Sequence, residues 1–304
     1  ALMPMLFFLS LGKATTVLFV EASSNKFSPR GGSSFHHNND DNWKLEKHMP
    51  PTLGDVDRGI QSYERQHYIQ QKPKPITQAI REYFIRLHRA SPALYYATIS
   101  SILIFIASQI PSRQLTMFLQ NHFINSRRNL LRGRYHTVLT SALNHSTFMH
   151  LALNLYGFHI FGKSVVPILS RSGISLSLYC VLGGIFSNLF FSTVHPLGSC
   201  LGLSGVTLSL LALDARLNPG KIIGFVIRFV PIQCPAQYAL TGLLVWSSFM
   251  TLMMMNGGGG DGVAHATHLG GLLWGIAVYE MISRGVWNSV FRRNWNMILK
   301  KLKW

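Results

Sequence analysis

Apolar positions gather into six blocks between about residue 92 and residue 283, separated by polar or glycine-containing connections. They cover about 92–110 (PALYYATISSILIFIASQI), 147–162, 174–194, 204–217, 238–255 (YALTGLLVWSSFMTLMMM) and 264–283. A membrane span needs about 20 mostly apolar residues, so the pattern predicts an all-α membrane protein of six helices. The second and fourth blocks are short for a crossing at about 1.5 Å per residue. Short helices are tolerated where their ends face a protein-lined, water-filled cavity. A site recessed below one membrane surface is therefore expected.

The flanks read differently. Residues 1–22 are apolar but broken by Lys13, and Val20-Glu21-Ala22 resembles a small-x-small cleavage site. They read as a targeting segment or an extra membrane helix. Residues 23–90 are rich in Ser, Asn, His, Pro and Lys, including SSFHHNNDDN and QQKPKP, and read as a mostly disordered polar arm. Residues 91–284 form the membrane domain, and 285–304 a basic amphipathic tail.

Composition supports the membrane reading: of 304 residues, 48% are apolar and 13% charged, against about 25% charged in soluble domains. The formal net charge of +17 would suit nucleic acid. Here the basic residues cluster around apolar blocks, where they set orientation, so the expected partner is the lipid bilayer and not nucleic acid. Lys163 and Arg171 follow the second block, Arg216, Lys221 and Arg228 the fourth, and Arg284, Arg292, Arg293, Lys300, Lys301 and Lys303 the sixth. Loops 195–203 and 256–263 hold no Lys or Arg, which places both termini on one side and requires an even number of spans. Loop 111–140, with Arg113, Arg127, Arg128, Arg132 and Arg134, breaks the rule and reads as an amphipathic interfacial segment. Cys180, Cys200 and Cys234 have no close pair and read as small buried hydrophobes.

Candidate chemistry concentrates under the face without positive charge. Ser204 opens the fourth block, His268 lies near the start of the sixth, and His145, His150 and Asn154 lie at the start of the second. Polar groups at membrane depth are costly and usually face a cavity or a partner. His150 and Asn154, four apart, share a helix face and offer two donors to one developing oxyanion. Ser204 and His268 suit a nucleophile and its general base. Gly202 and Gly205 allow a tight turn and a close substrate approach, while Gly271 and Gly275 form a stripe for close helix packing. Asp261 reads as a solvated loop residue, and Asp214 as a pairing or capping group toward the other face.

Other chemistries fit less well. H-E-x-x-H is absent, and His265-Ala266-Thr267-His268 has no acid and the wrong spacing for such a zinc site. A hydrolase elbow needs G-x-S-x-G after a strand, and position 206 is Val in an apolar helix. The two halves show no self-similarity of the transporter kind.

GRYHTVLTSALNHSTFMHLALNLYGFHIFG (133–162), GLSG (202–205) and HLGGLLWG (268–275) together resemble the rhomboid intramembrane serine proteases, over about residues 92–283. The resemblance implies a six-helix rhomboid bundle that cleaves transmembrane protein substrates near the membrane boundary, with no cofactor and no metal. It implies that Ser204 is the nucleophile and that His268, not His265, is the base, since His268 keeps register with Gly271 and Gly275. His150 and Asn154 would support the oxyanion. Leu208 stands where bacterial members often stack an aromatic on the base, and Gly133-Arg134-Tyr135-His136-Thr137 replaces their W-R motif. The G-R-x-H-T-x-L-T-S-A wording looks like plant-type mitochondrial rhomboids and suggests an organelle inner membrane, with a plastid or the secretory route as alternatives. The rival expectation is a catalytically inactive rhomboid-like protein that binds or retains transmembrane clients.

Overall fold

A computed structural model of the chain describes residues 17–21, 75–227, 230–257 and 261–286. Of residues 1–22, read as a targeting segment or an extra membrane helix, only 17–21 are described, and they form a strand; residues 22–74 and the tail beyond 286 lie outside the described residues. Two units divide the chain. Residues 23–86 form one; residues 1–22 with 87–304 form the other.

In chain order the elements are β1 (Val17–Glu21), α1 (Ile76–Ala90), α2 (Pro92–Ser108), α3 (Arg113–His122), β2 (Asn125–Ser126), α4 (Arg127–Leu131) and α5 (Thr137–Thr140). After a 3₁₀ turn, Ser141–Leu143, come α6 (Phe148–Arg171), α7 (Leu176–Val194), β3 (Ser199–Cys200), α8 (Ser204–Leu217), β4 (Ile222–Ile227), β5 (Val230–Pro235), α9 (Ala236–Met255) and α10 (His265–Ser283). All six apolar blocks are helices, and α7 and α9 are each long and apolar enough to cross a bilayer. Starts are set by local chemistry: Ser91, Thr147 and Ser175 accept the N–H of Leu94, His150 and Leu178 across the first turns of α2, α6 and α7.

Helix α8 is the centre. Every residue from Gly205 to Ala215 is buried, with α10, α6, α7 and α9 packed around it. At 14 residues it spans only about 21 Å. The second apolar block proves longer than expected, because α6 continues 24 residues to Arg171 through Lys163, Ser164 and Pro167. Part of the reason is visible at Ser164, whose hydroxyl donates to Asp214 Oδ1 at 2.6 Å, giving the polar second half of α6 a partner on α8.

Asp214 is 0% exposed. It also accepts from Asn218 Nδ2 at 2.8 Å and pairs with Lys221 Nζ at 3.0 Å, which ties α6, α8 and the entry to β4 together. Breaking a buried pair strands the remaining charge, at a cost of about 3–5 kcal/mol. Asp214→Ala should lower the thermal midpoint of the purified chain sharply, and Asp214→Ala/Lys221→Met should recover part of the loss in a double-mutant cycle.

Two differences from the sequence expectations stand out, and a third region gains detail. Residues 76–90, assigned to the polar arm, form a helix whose apolar positions Ile76, Ile80, Tyr83 and Leu87 recur at helical spacing. Residues 222–235, read only as part of the connection that carries Lys221 and Arg228, form a β-hairpin with Ile222 opposite Pro235 and Ile227 opposite Val230, and β1 pairs antiparallel on β4. The β-branched IIGFVI favours a strand there. Loop 111–140 is three short helices, and Arg134 donates inward to Asn121 Oδ1 at 2.5 Å and Asn129 Oδ1 at 2.9 Å. One of the charges that broke the orientation rule is therefore spent on tying this loop together.

Candidate active site

Ser204 is the first residue of α8 and His268 lies in the first turn of α10. Their side chains meet across 64 positions of sequence, with His268 Nε2 2.9 Å from Ser204 Oγ. What brings the two helices this close is glycine. A Cβ at Gly271 would fall on the carbonyl oxygen of Gly205, and one at Gly275 on that of Ser209. Gly205 itself faces Ser187 and Thr267, each with an atom 2.9 Å from where its Cβ would lie. Helix packing alone therefore requires glycine at this position.

Gly202 has the other role. Its φ of +111° lies in a region that side chains disfavour. A Cβ there would sit 2.8 Å from His150 Cε1 and Nε2 and 3.9 Å from Asn154 Nδ2. His150 and Asn154 therefore do converge, on the backbone two residues before Ser204. Asn154 Nδ2 donates to the carbonyl of His150 at 2.9 Å, and Thr207 Oγ1 donates to the carbonyl of Asn154 at 3.3 Å. Ser146 Oγ lies 3.2 Å from His150 Nδ1. The N–H groups of the first helical turn have no acceptor within their own helix, so α8 adds backbone donors to the same corner.

The turn before Ser204 is pinned from outside. Gly202 N–H donates to the carbonyl of Ser141 at 2.9 Å, and Leu203 N–H donates to His145 Nε2 at 3.3 Å. His145 stands in the loop ahead of α6. Burial, then the neighbouring His150, brings its pKa down to about 4. It stays neutral above that range and so keeps a lone pair for Leu203. Sequence reasoning noted His145 by its depth but had no signal for this partner, 58 residues away.

Asp261 departs from expectation. It is not a freely solvated loop residue: both carboxylate oxygens lie 3.1 Å from His265 Nε2, and Oδ1 accepts Val263 N–H at 3.0 Å. Burial alone would raise its pKa. The bonds from His265 and Val263 outweigh this and hold it below the usual carboxylate range. The tie is therefore present at neutral pH and is lost only when acid reaches that lowered value.

Cys200, beside the site, is a buried partner of Asn188 Oδ1 at 3.3 Å and of Asn125 Nδ2 at 3.4 Å. Burial raises its thiol pKa, as suits a packing role. Leu208, one turn past Ser204, is buried. Among the described residues no three His, Cys, Asp or Glu side chains converge as a metal site.

A family model described as the Rhomboid domain matches residues 132–285. The chain is 26% identical over 186 residues to RHOMBOID-like protein 12, mitochondrial, of Arabidopsis thaliana, covering 55% of this chain and 52% of that one. It is 27% identical over 210 residues to Rhomboid protein 1, mitochondrial, of Saccharomyces cerevisiae, covering 66% and 56%. With the human Presenilin-associated rhomboid-like protein, mitochondrial, it shares 28% identity over 184 residues, covering 58% and 45%. The chain spans about half the length of these relatives.

Proposed function

The chain belongs to the rhomboid family, and from that premise we propose that it is a serine endopeptidase cleaving membrane-anchored proteins near the membrane boundary. It is an integral, multi-pass membrane protein, and α2, α6, α7, α8, α9 and α10 are taken as its six spans. The observation that carries the reading is the 2.9 Å contact between Ser204 Oγ and His268 Nε2.

In this mechanism a substrate helix unwinds locally at the site, since a helical carbonyl is hydrogen-bonded and shielded. Ser204 attacks the exposed carbonyl while His268 takes the hydroxyl proton, which it later delivers to the leaving amine. Water then hydrolyses the acyl-enzyme with His268 again as base. The oxyanion develops over Gly202, whose missing side chain leaves room for it. His150 and Asn154 point donors there, joined by the N-terminal N–H groups of α8. If Ser146 donates to His150 Nδ1, the ring proton sits on Nε2, the nitrogen facing Gly202. The short α8 leaves depth for the water that the second half-reaction consumes.

The relatives' names favour mitochondria over a plastid, and the wording of residues 133–142 suggests an inner membrane; imaging of a tagged chain checks both. The test of activity is a fluorophosphonate probe on the membrane-embedded protein. Wild type should label and Ser204→Ala should not. A wild type that resists labelling and leaves a membrane-anchored reporter intact would identify a non-proteolytic client-binding member instead.

A further inference from the structure

The His268 ring, besides reaching Ser204, packs against a second histidine that is itself held by a carboxylate. His265, three residues earlier on α10, is 3% exposed. Its ring lies edge to face against His268, with centroids 5.9 Å apart at 78°, and against Trp246 of α9 at 6.3 Å and 80°. Asp261 grips its Nε2 with both oxygens and is itself anchored by Val263 N–H. A carboxylate on Nε2 fixes the tautomer, so Nδ1 becomes an acceptor. That Nδ1 is buried and has no hydrogen-bond partner. Buried polar atoms left unpaired are rare and call for an explanation.

We propose that Asp261 and His265 form a positioning pair for the catalytic base. Their packing sets the plane of the His268 ring toward Ser204, and the Asp261 charge stabilises the imidazolium that forms when His268 accepts the Ser204 proton. This rests on the Ser204–His268 reading above. The proton passes from Ser204 Oγ to His268 Nε2 and on to the leaving amine, and none is exchanged with Asp261 or His265. The attraction between carboxylate and imidazolium exists only once the proton has moved, so it favours the transition state over the ground state. The other titratable groups near this pair are His150 of α6, beside Gly202, and the buried Cys200, packed against Ala266. Helix α8 supplies the Ser204 hydroxyl, α9 the neutral Trp246, and α7 Ser187 and Phe190 beside Gly270.

The test is reporter cleavage by the full chain in liposomes, with kcat and KM measured across pH. Partners behind a metal-bound histidine typically contribute about 10–100-fold, and the same scale is expected behind His268. Asp261→Asn should lower the kcat plateau about tenfold, leave KM unchanged, and move the acidic limb of kcat/KM to lower pH, because the anion that favoured protonation is gone. Asp261→Glu should restore most of the plateau. His265→Gln, which keeps a donor for Asp261, should lose the plateau likewise. Should that variant fail to fold, the two Asp261 variants carry the test, since that side chain is 24% exposed and its replacement leaves the core intact. A lowered plateau with an unmoved limb would make Asp261 a loop anchor only and overturn the proposal. So would an unchanged Asp261→Asn beside an inactive Ser204→Ala, with the dyad reading intact. Full cleavage by Ser204→Ala would overturn both.

Discussion

His268→Ala should reduce cleavage of a membrane-anchored reporter by on the order of 10⁴-fold or more while the protein remains folded. A serine hydroxyl is a weak nucleophile at neutral pH and needs a base within hydrogen-bond reach. The described residues place one imidazole nitrogen there, at 2.9 Å. The side chain is only half-buried and faces the site, so truncation removes chemistry without opening a cavity in the core. Rates of fluorophosphonate labelling and reporter turnover should fall together, because both depend on the activated Oγ. The sign with pH follows from the role: only the neutral imidazole accepts a proton, so activity should rise with pH through the acidic limb. His265→Ala gives the counter-experiment. Its ring packs edge to face on His268, whose Nε2 lies against Ser204 Oγ, so its loss should cost about tenfold, the scale of a supporting partner. A dead His265→Ala beside an active His268→Ala would transfer the base to His265.

The two histidines also show what the sequence could and could not carry. All six apolar blocks became helices because a hydrophobic run is a local property, and α8 opens at Ser204 as the pattern indicated. Ser204 and His268 were legible through the glycines next to them, since close packing requires particular residues at particular spacings. Asp261 was misjudged because its partner is not implied by composition: H-A-T-H suggests neither a carboxylate four residues back nor the side on which it binds. His145 was noticed for its depth, but its bond to Leu203 joins two loops and has no periodicity. The hairpin over 222–235 is hard to read from sequence because Lys221 and Arg228 act as topology signals around the strand-forming run between them. Lys221 in fact serves the buried Asp214.

Gly271→Ala should cost activity beyond what it costs in stability. The new Cβ would fall on the carbonyl oxygen of Gly205, with Gly205 C at 2.9 Å and Cα at 3.1 Å. None of these is the end of a flexible side chain, so the backbones of α8 and α10 must part. Helix α8 cannot retreat, being buried along its length against α6, α7 and α9. Overpacking of this kind typically costs about 1–3 kcal/mol, and more where nothing yields. The displacement also reaches the chemistry, because His268 precedes Gly271 by one turn and Gly205 adjoins Ser204. A misplacement of about 1 Å can cost about 10²-fold in rate. Gly275→Ala separates the two effects. Its Cβ would meet the carbonyl oxygen of Ser209, with Ala212 Cβ at 2.8 Å and Leu213 N at 3.0 Å, one turn farther from the dyad. At matched loss of thermal midpoint, Gly271→Ala should therefore show kcat/KM about 10²-fold below wild type, and Gly275→Ala a much smaller drop. Equal losses in the two variants would mean that the glycine stripe serves only to hold the helices together. A selective loss at Gly271 would show that the same close contact sets the distance from Ser204 to His268.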